Sequence, residues 1–163
     1  MTDQTGFEGQ VELALGRALA YLGRRDRSVA EVRKQLLKRG FPGDVAEGAI
    51  ERLSEMGYLD DLSFARRFAE DRRRLDGWGD RRIRQRLSEL GTDREAIDQA
   101  LAGEKAGSEL ERAIALLERR LAEPAERDSD RRRALGILVR RGYSLETASD
   151  AVRAHRQAHS RAN

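Results

Sequence analysis

Glycine recurs at positions 40, 91 and 142, an interval of 51 residues, and each of these glycines closes a short basic amphipathic stretch. A shift of 51 superposes Val32 on Ile83 and Ala134, Leu36 on Leu87 and Leu138, Ala49 on Ala100 and Ala151, and Ile50 on Leu101 and Val152. Phe41 falls on Thr92 and Tyr143, and Asp44 on Glu95 and Glu146. Apolar, acidic and glycine positions therefore repeat together, keeping a fixed distance from a helix stop to the next apolar face. An internal period of this size marks stacked supersecondary units that bury their apolar faces against one another.

The units are helical. Leu, Ala, Arg and Glu dominate, aromatic residues make up 5% and strand-favouring residues are sparse. Ser28 with Glu31, Asp44 with Glu47, and Thr92 with Glu95 each set an oxygen acceptor three residues before an acid, the signature of a helix start. Glycines 40, 57, 91 and 142 supply stops. These signals predict nine helices, over 11–25, 29–39, 45–56, 62–75, 81–90, 93–102, 107–121, 130–141 and 145–158. The expected fold is all-α: an elongated array of three tandem three-helix repeats over 11–58, 59–105 and 106–158, with flexible termini at 1–10 and 159–163. Each repeat opens on a helix with apolar residues three and four apart: Leu15, Ala18, Leu19 and Leu22; Ala65, Phe68 and Ala69; Leu110, Ala113, Ile114, Leu117 and Leu121. Tyr58, Phe64 and Phe68 are expected in the core.

The net charge of +3 conceals segregation. Residues 24–39 and 72–86 each carry +5 and residues 131–141 hold five basic groups and no acid, whereas 44–61 carry −5 and 89–109 carry −4. Basic zones suit a polyanion and acidic zones a basic protein surface, so the pattern fits a partner that offers both. Lys34, Lys38 and Lys105 are the only lysines among 32 basic residues, and the arginine fork favours phosphate or carboxylate. The absence of cysteine, of a membrane-length apolar run and of a leader makes the cytoplasm the expected compartment.

Nothing in the sequence assembles a catalytic site or a cofactor site. Adjacent carboxylates at 60 and 61 read as helix caps, and His155 with His159, near a terminus, make a poor metal site. Gly77 and Gly79 lack the third glycine and preceding strand of a dinucleotide loop. The expectation is a protein without enzymatic activity and with no cofactor.

The run Gly57-Tyr58-Leu59-Asp60-Asp61-Leu62-Ser63-Phe64-Ala65, followed by Gly77-Trp78-Gly79-Asp80-Arg81-Arg82-Ile83-Arg84-Gln85-Arg86-Leu87 and closed by Gly91, is similar to the centre of the RecX family, regulators of the RecA recombinase. Ala18, Leu19, Tyr21, Leu22, Arg27-Ser28, Glu31-Val32, Leu36 and Arg39-Gly40-Phe41 resemble that family's first repeat, and the likeness extends over about residues 14 to 155. The third repeat keeps Gly142 and the apolar spacing in a sparser context. The resemblance implies tandem three-helix repeats that bind in the groove of the RecA filament on single-stranded DNA. It also implies inhibition of ATP hydrolysis, strand exchange and co-protease activity; separately, a monomer is expected.

The residues expected to carry such binding are basic groups that recur under the 51-residue shift: Lys38 with Arg140, Arg39 with Arg141, Arg81 with Arg132, and Arg82 with Arg133. Arg72, Arg73 and Arg74 join them, because three consecutive side chains cannot all face one core. Trp78, between two glycines, either stacks on a base or folds back over a helix junction. Two other readings compete. A DNA-binding transcriptional regulator would read a groove with a basic helix, but the recurring arginines lack the Asn or Gln of a base-reading face. A helical adaptor without nucleic-acid contact would use the acidic third helices.

Overall fold

Helices form where the caps and the apolar period coincide. In the computed structural model, which describes residues 2–102 and 108–162, they are α1 (Thr2–Leu22), α2 (Val29–Lys38), α3 (Gly43–Glu55), α4 (Asp61–Asp71), α5 (Asp80–Glu89), α6 (Arg94–Ala102), α7 (Ser108–Arg120), α8 (Asp128–Arg140) and α9 (Leu145–Ala162). Among the described residues there are nine α-helices and no strand, as the all-α expectation requires. A π-helical turn, Arg72–Asp76, ends α4 where a continuous α-helix to 75 is predicted, and Gly77 closes it at positive φ.

The chain divides into two compact units. The first comprises Met1–Arg66 with Leu87–Asp98 and the second Arg67–Arg86 with Gln99–Asn163, so α4, α5 and α6 each contribute residues to both. In the first unit α1, α2 and α3 close around Val11, Ala14, Ala18, Val32, Leu36, Val45, Ala49, Ile50 and Leu53. In the second, α7, α8 and α9 close around Ala113, Leu117, Ala134, Leu138, Tyr143, Ala148, Ala151 and Val152. Val32, Leu36, Ala49 and Ile50 and their equivalents Ala134, Leu138, Ala151 and Val152 are thus buried, and Ile83, Leu87, Ala100 and Leu101 are buried as well.

Several expectations are corrected. α1 starts at Thr2, ahead of the expected helix start at 11. Gly48 on α3 lets Val11 and Phe7 approach closely, and Arg52 holds Glu8 and, at 2.7 Å, Glu12. At the other end α9 continues to Ala162, and His155 on this helix is buried. Ser28 and Glu31 form the full capping box, but Asp44 does not cap α3, whose N-cap is Pro42, and Glu47 pairs with Arg33 instead. The Thr92 hydroxyl is buried with no partner among the described residues, and Asp93 caps α6 by accepting from the Glu95 and Ala96 amides at 3.1 and 3.2 Å. Ser144, 51 residues after Asp93, caps α9 through the Thr147 amide at 3.0 Å. Tyr58 is exposed rather than buried, because its amide is drawn to the Leu53 carbonyl at 2.8 Å while Leu59 takes the core position. Phe64 is buried and Phe68 half-buried.

Two equivalent joints explain the recurring glycines. In the first unit the C-terminal end of α5 meets the start of α2: the Ser28 hydroxyl donates to the Leu90 carbonyl at 2.6 Å, and a methyl group on Gly91 would lie 2.5 Å from the Ala30 Cβ. In the second unit the C-terminal end of α8 meets the start of α5. There the Gly79 and Arg81 amides donate to the Arg141 and Gly142 carbonyls at 2.8 and 3.1 Å, and a methyl group on Gly142 would lie 2.3 Å from the Arg82 Cβ. Both glycines have positive φ, so each position requires the left-handed backbone and also the absence of a side chain.

Candidate nucleic-acid interface

The joint between α8 and α5 places arginines from both helices side by side. Its backbone hydrogen bonds fix the first turn of α5 against the last turn of α8, so Arg81 and Arg82 emerge beside Arg140. Arg82 donates to the Arg140 carbonyl at 3.1 Å and lies over the Trp78 ring at 4.2 Å. Trp78 meets Phe68 edge-on at 6.3 Å. Gly136, with no side chain, gives room to the Arg140 guanidinium above it.

Two depressions share Arg140. One, of about 390 Å³, is lined by Arg81, Arg82, Gln85, Val139, Arg140, Gly142 and Tyr143. The other, of about 370 Å³, is lined by Arg120, Arg133, Ile137, Arg140 and Arg141. Six arginines thus line the pair, and no carboxylate does. Such a surface attracts phosphate or carboxylate groups. A neighbouring depression at residues 120–125 is different, because Glu123 and Asp130 line it together with Arg120 and Arg133.

Behind this surface lies a charge cluster that holds the turn. Arg73 pairs with Asp80 at 2.8 Å, Arg112 approaches the same carboxylate at 3.4 Å, and Arg72 pairs with Asp76 at 2.5 Å. Glu109 accepts the Asp80 amide at 3.1 Å, Arg141 donates to the Asp76 carbonyl, and the Tyr143 hydroxyl donates to the Gly77 carbonyl at 3.2 Å. Burial, with Asp80 adding to it, pushes the Glu109 carboxyl up against the pull of that amide hydrogen bond. Burial also raises the Tyr143 phenol and lowers the Arg112 guanidinium, the latter aided by the like charge of Arg73.

The structure therefore brings together Arg81, Arg82, Arg133, Arg140 and Arg141 from the predicted set. Arg72 and Arg73 are half-buried in the turn. Arg74 is exposed with a surface partner in Asp71 at 3.4 Å, and Arg132 is exposed on α8 outside both depressions. Lys38 and Arg39 are exposed at the end of α2 in the first unit, where Lys38 lines a depression of mixed sign with Lys34, Glu31 and Glu89. Arg120 is the residue that sequence reasoning missed. Its equivalents under the shift are Ala69 and Ala18, so the period does not flag it; its only signal is a cation closing α7 at the negative end of the helix dipole.

Comparison with known proteins adds to this geometry. Family models described as RecX, first three-helix domain, and RecX, second three-helix domain, match residues 14–53 and 60–101. A protein named Regulatory protein RecX from Mycolicibacterium vanbaalenii is 39% identical over 160 residues, covering 93% of this chain and 86% of its own. One of the same name from Xanthomonas axonopodis pv. citri is 38% identical and covers 84% of each chain. The crystal structure of RecX from Lactobacillus salivarius superposes with a TM-score of 0.80 at 18% identity, over 91% of this chain and 97% of that one, which is a likeness of fold.

Proposed function

The chain belongs to the RecX family of regulatory proteins, and from that premise we propose that it acts on the RecA recombinase, binding in the groove of the filament on single-stranded DNA. Bound there, it suppresses ATP hydrolysis, strand exchange and co-protease activity without chemistry of its own, as a cytoplasmic monomer. The observation that carries this reading is the carboxylate-free arginine surface where α5 meets α8. A filament groove offers DNA phosphates and acidic side chains, and an arginine fork engages either in bidentate fashion. Occupying the groove obstructs both an incoming duplex and filament growth.

ATP hydrolysis by RecA on single-stranded DNA tests the proposal. Added below the stoichiometry of filament subunits, the chain slows hydrolysis, because few molecules suffice to block a growing end or a long groove. Unchanged hydrolysis at equal stoichiometry, with the chain shown to be folded, overturns it.

A further inference from the structure

The joint made twice inside the chain has a third half that is left open. At the end of α2, Arg39, Gly40 and Phe41 stand where Leu90, Gly91 and Thr92, and again Arg141, Gly142 and Tyr143, close a joint. Around Gly91 and Gly142 an added methyl group would collide within 2.5 Å, whereas among the described residues nothing lies within 4 Å of the same position on Gly40, which also has positive φ. Thr92 and Tyr143 are buried, while Phe41 is only half-buried and Arg39 is exposed. The Arg39 and Gly40 carbonyls, equivalents of those that accept from Ser28, Gly79 and Arg81, accept no hydrogen bond among the described residues.

The chain does not present the matching half itself. In both joints that half is the first turn of a second helix, entered at Ser28–Ala30 or Gly79–Arg81. The equivalent residues 130–132 are already inside α8, which starts at Asp128, and the Arg131 amide is satisfied by the Arg127 carbonyl at 3.0 Å. The α8 start is therefore closed by an extra turn, and a second copy offers no equivalent helix start. Head-to-tail meeting of a helix start with a helix end is favourable for the two dipoles and satisfies terminal backbone groups on each side.

We propose that the end of α2, at Arg39, Gly40 and Phe41, is a docking point for the first turn of a helix of a partner protein. That turn carries a small residue where Ser28 and Gly79 stand in the internal joints. The proposal rests on the function given above, which makes the partner a subunit of the RecA filament. It identifies a protein contact in the first unit in addition to the arginine surface of the second.

The test uses the full chain and RecA filaments assembled on single-stranded DNA with a non-hydrolysable nucleotide. Gly40→Asn tolerates the left-handed backbone and has space in the free chain, but its side chain fills the joint. It is expected to weaken filament binding by about tenfold or more, as loss of a closed joint with its hydrogen bonds requires, with the chain still folded and only the small loss of melting temperature that a side chain at positive φ imposes. Because the chain has no cysteine, Arg39→Cys carrying a photo-crosslinker gives a second reading that needs no change at the glycine. The expected adduct joins the filament subunit at the first turn of one of its helices. Unchanged binding of folded Gly40→Asn, or an adduct to a second copy of the chain, overturns the docking point and leaves the function standing. Failure of the parent chain to bind filaments overturns both.

Discussion

His155 is 2% exposed on α9, and neither ring nitrogen has a hydrogen-bond partner among the described residues. Burial, and then the like charge of His159 with its ring centroid 4.5 Å away, hold the imidazole below its ordinary value of 6.5, against the opposing pull of Glu118 on α7. The neutral ring is therefore the folded form. As pH falls below about 6.5 the unfolded chain takes up the proton first, so this contribution to stability is intact above that pH and declines below it until the folded ring titrates. Urea unfolding at about pH 7.5 and about pH 5.5 is expected to show a loss of at most about 1.4 kcal/mol per pH unit from this group. His155→Leu should flatten that part of the profile, and an unaltered profile would assign it to other groups. The 51-residue shift sets His155 on Glu104 and Leu53, so the period gives no consistent sign of burial and sequence identifies the pair only by its spacing of four.

The period reads well at the level of elements because each repeat carries its own apolar spacing and stop, which are local properties of sequence. The joints are illegible for a physical reason: backbone groups of residues 62 apart, Gly79 with Arg141, make the contact, and the sequence shows only that glycine recurs. Caps fall between these cases. Asp60 serves its own helix through the Ser63 amide at 3.0 Å, as expected of a cap, whereas Asp61 ties two other helix starts by accepting the Val29 amide at 2.9 Å and the Asp93 amide at 3.2 Å. The amide equivalent to Val29 is that of Asp80, and Glu109 accepts it one turn before Arg112, the equivalent of Asp61. The interaction is thus retained while the residue supplying it moves. Asp61→Ala is expected to cost about 1–3 kcal/mol by leaving two donors without their acceptor, against about 1 kcal/mol for Asp60→Ala. Thermal unfolding of the two variants decides; equal losses would mean that Asp61 acts only on its own helix. Gly142→Ala, which combines positive φ with a backbone collision, should lower stability more than Gly40→Ala, where the backbone conformation alone is disfavoured.

For the whole molecule, charge placement outweighs the net charge of +3. Some arginines are half-buried cluster members that hold the fold, and others are exposed on the carboxylate-free surface, yet both kinds occur within the same basic zones of the sequence. Replacing Arg81 and Arg140 together by alanine is therefore expected to weaken filament binding by about tenfold, roughly 1.4 kcal/mol. The melting temperature should barely change, because exposed arginines contribute little to folding. Arg73→Ala should do the reverse: it leaves Asp80 with a poorer partner beneath the surface, lowers the melting temperature and affects binding only through that loss. If phosphates are the ligand, parent affinity falls steeply with salt and the double variant shows a shallower slope, since fewer counterions are released. If acidic RecA side chains are the ligand, salt still weakens binding, but bare single-stranded DNA binds far more weakly than the filament. A double variant that binds filaments as tightly as the parent at every salt concentration would remove the α5 and α8 arginines from the interface, whatever the family's function.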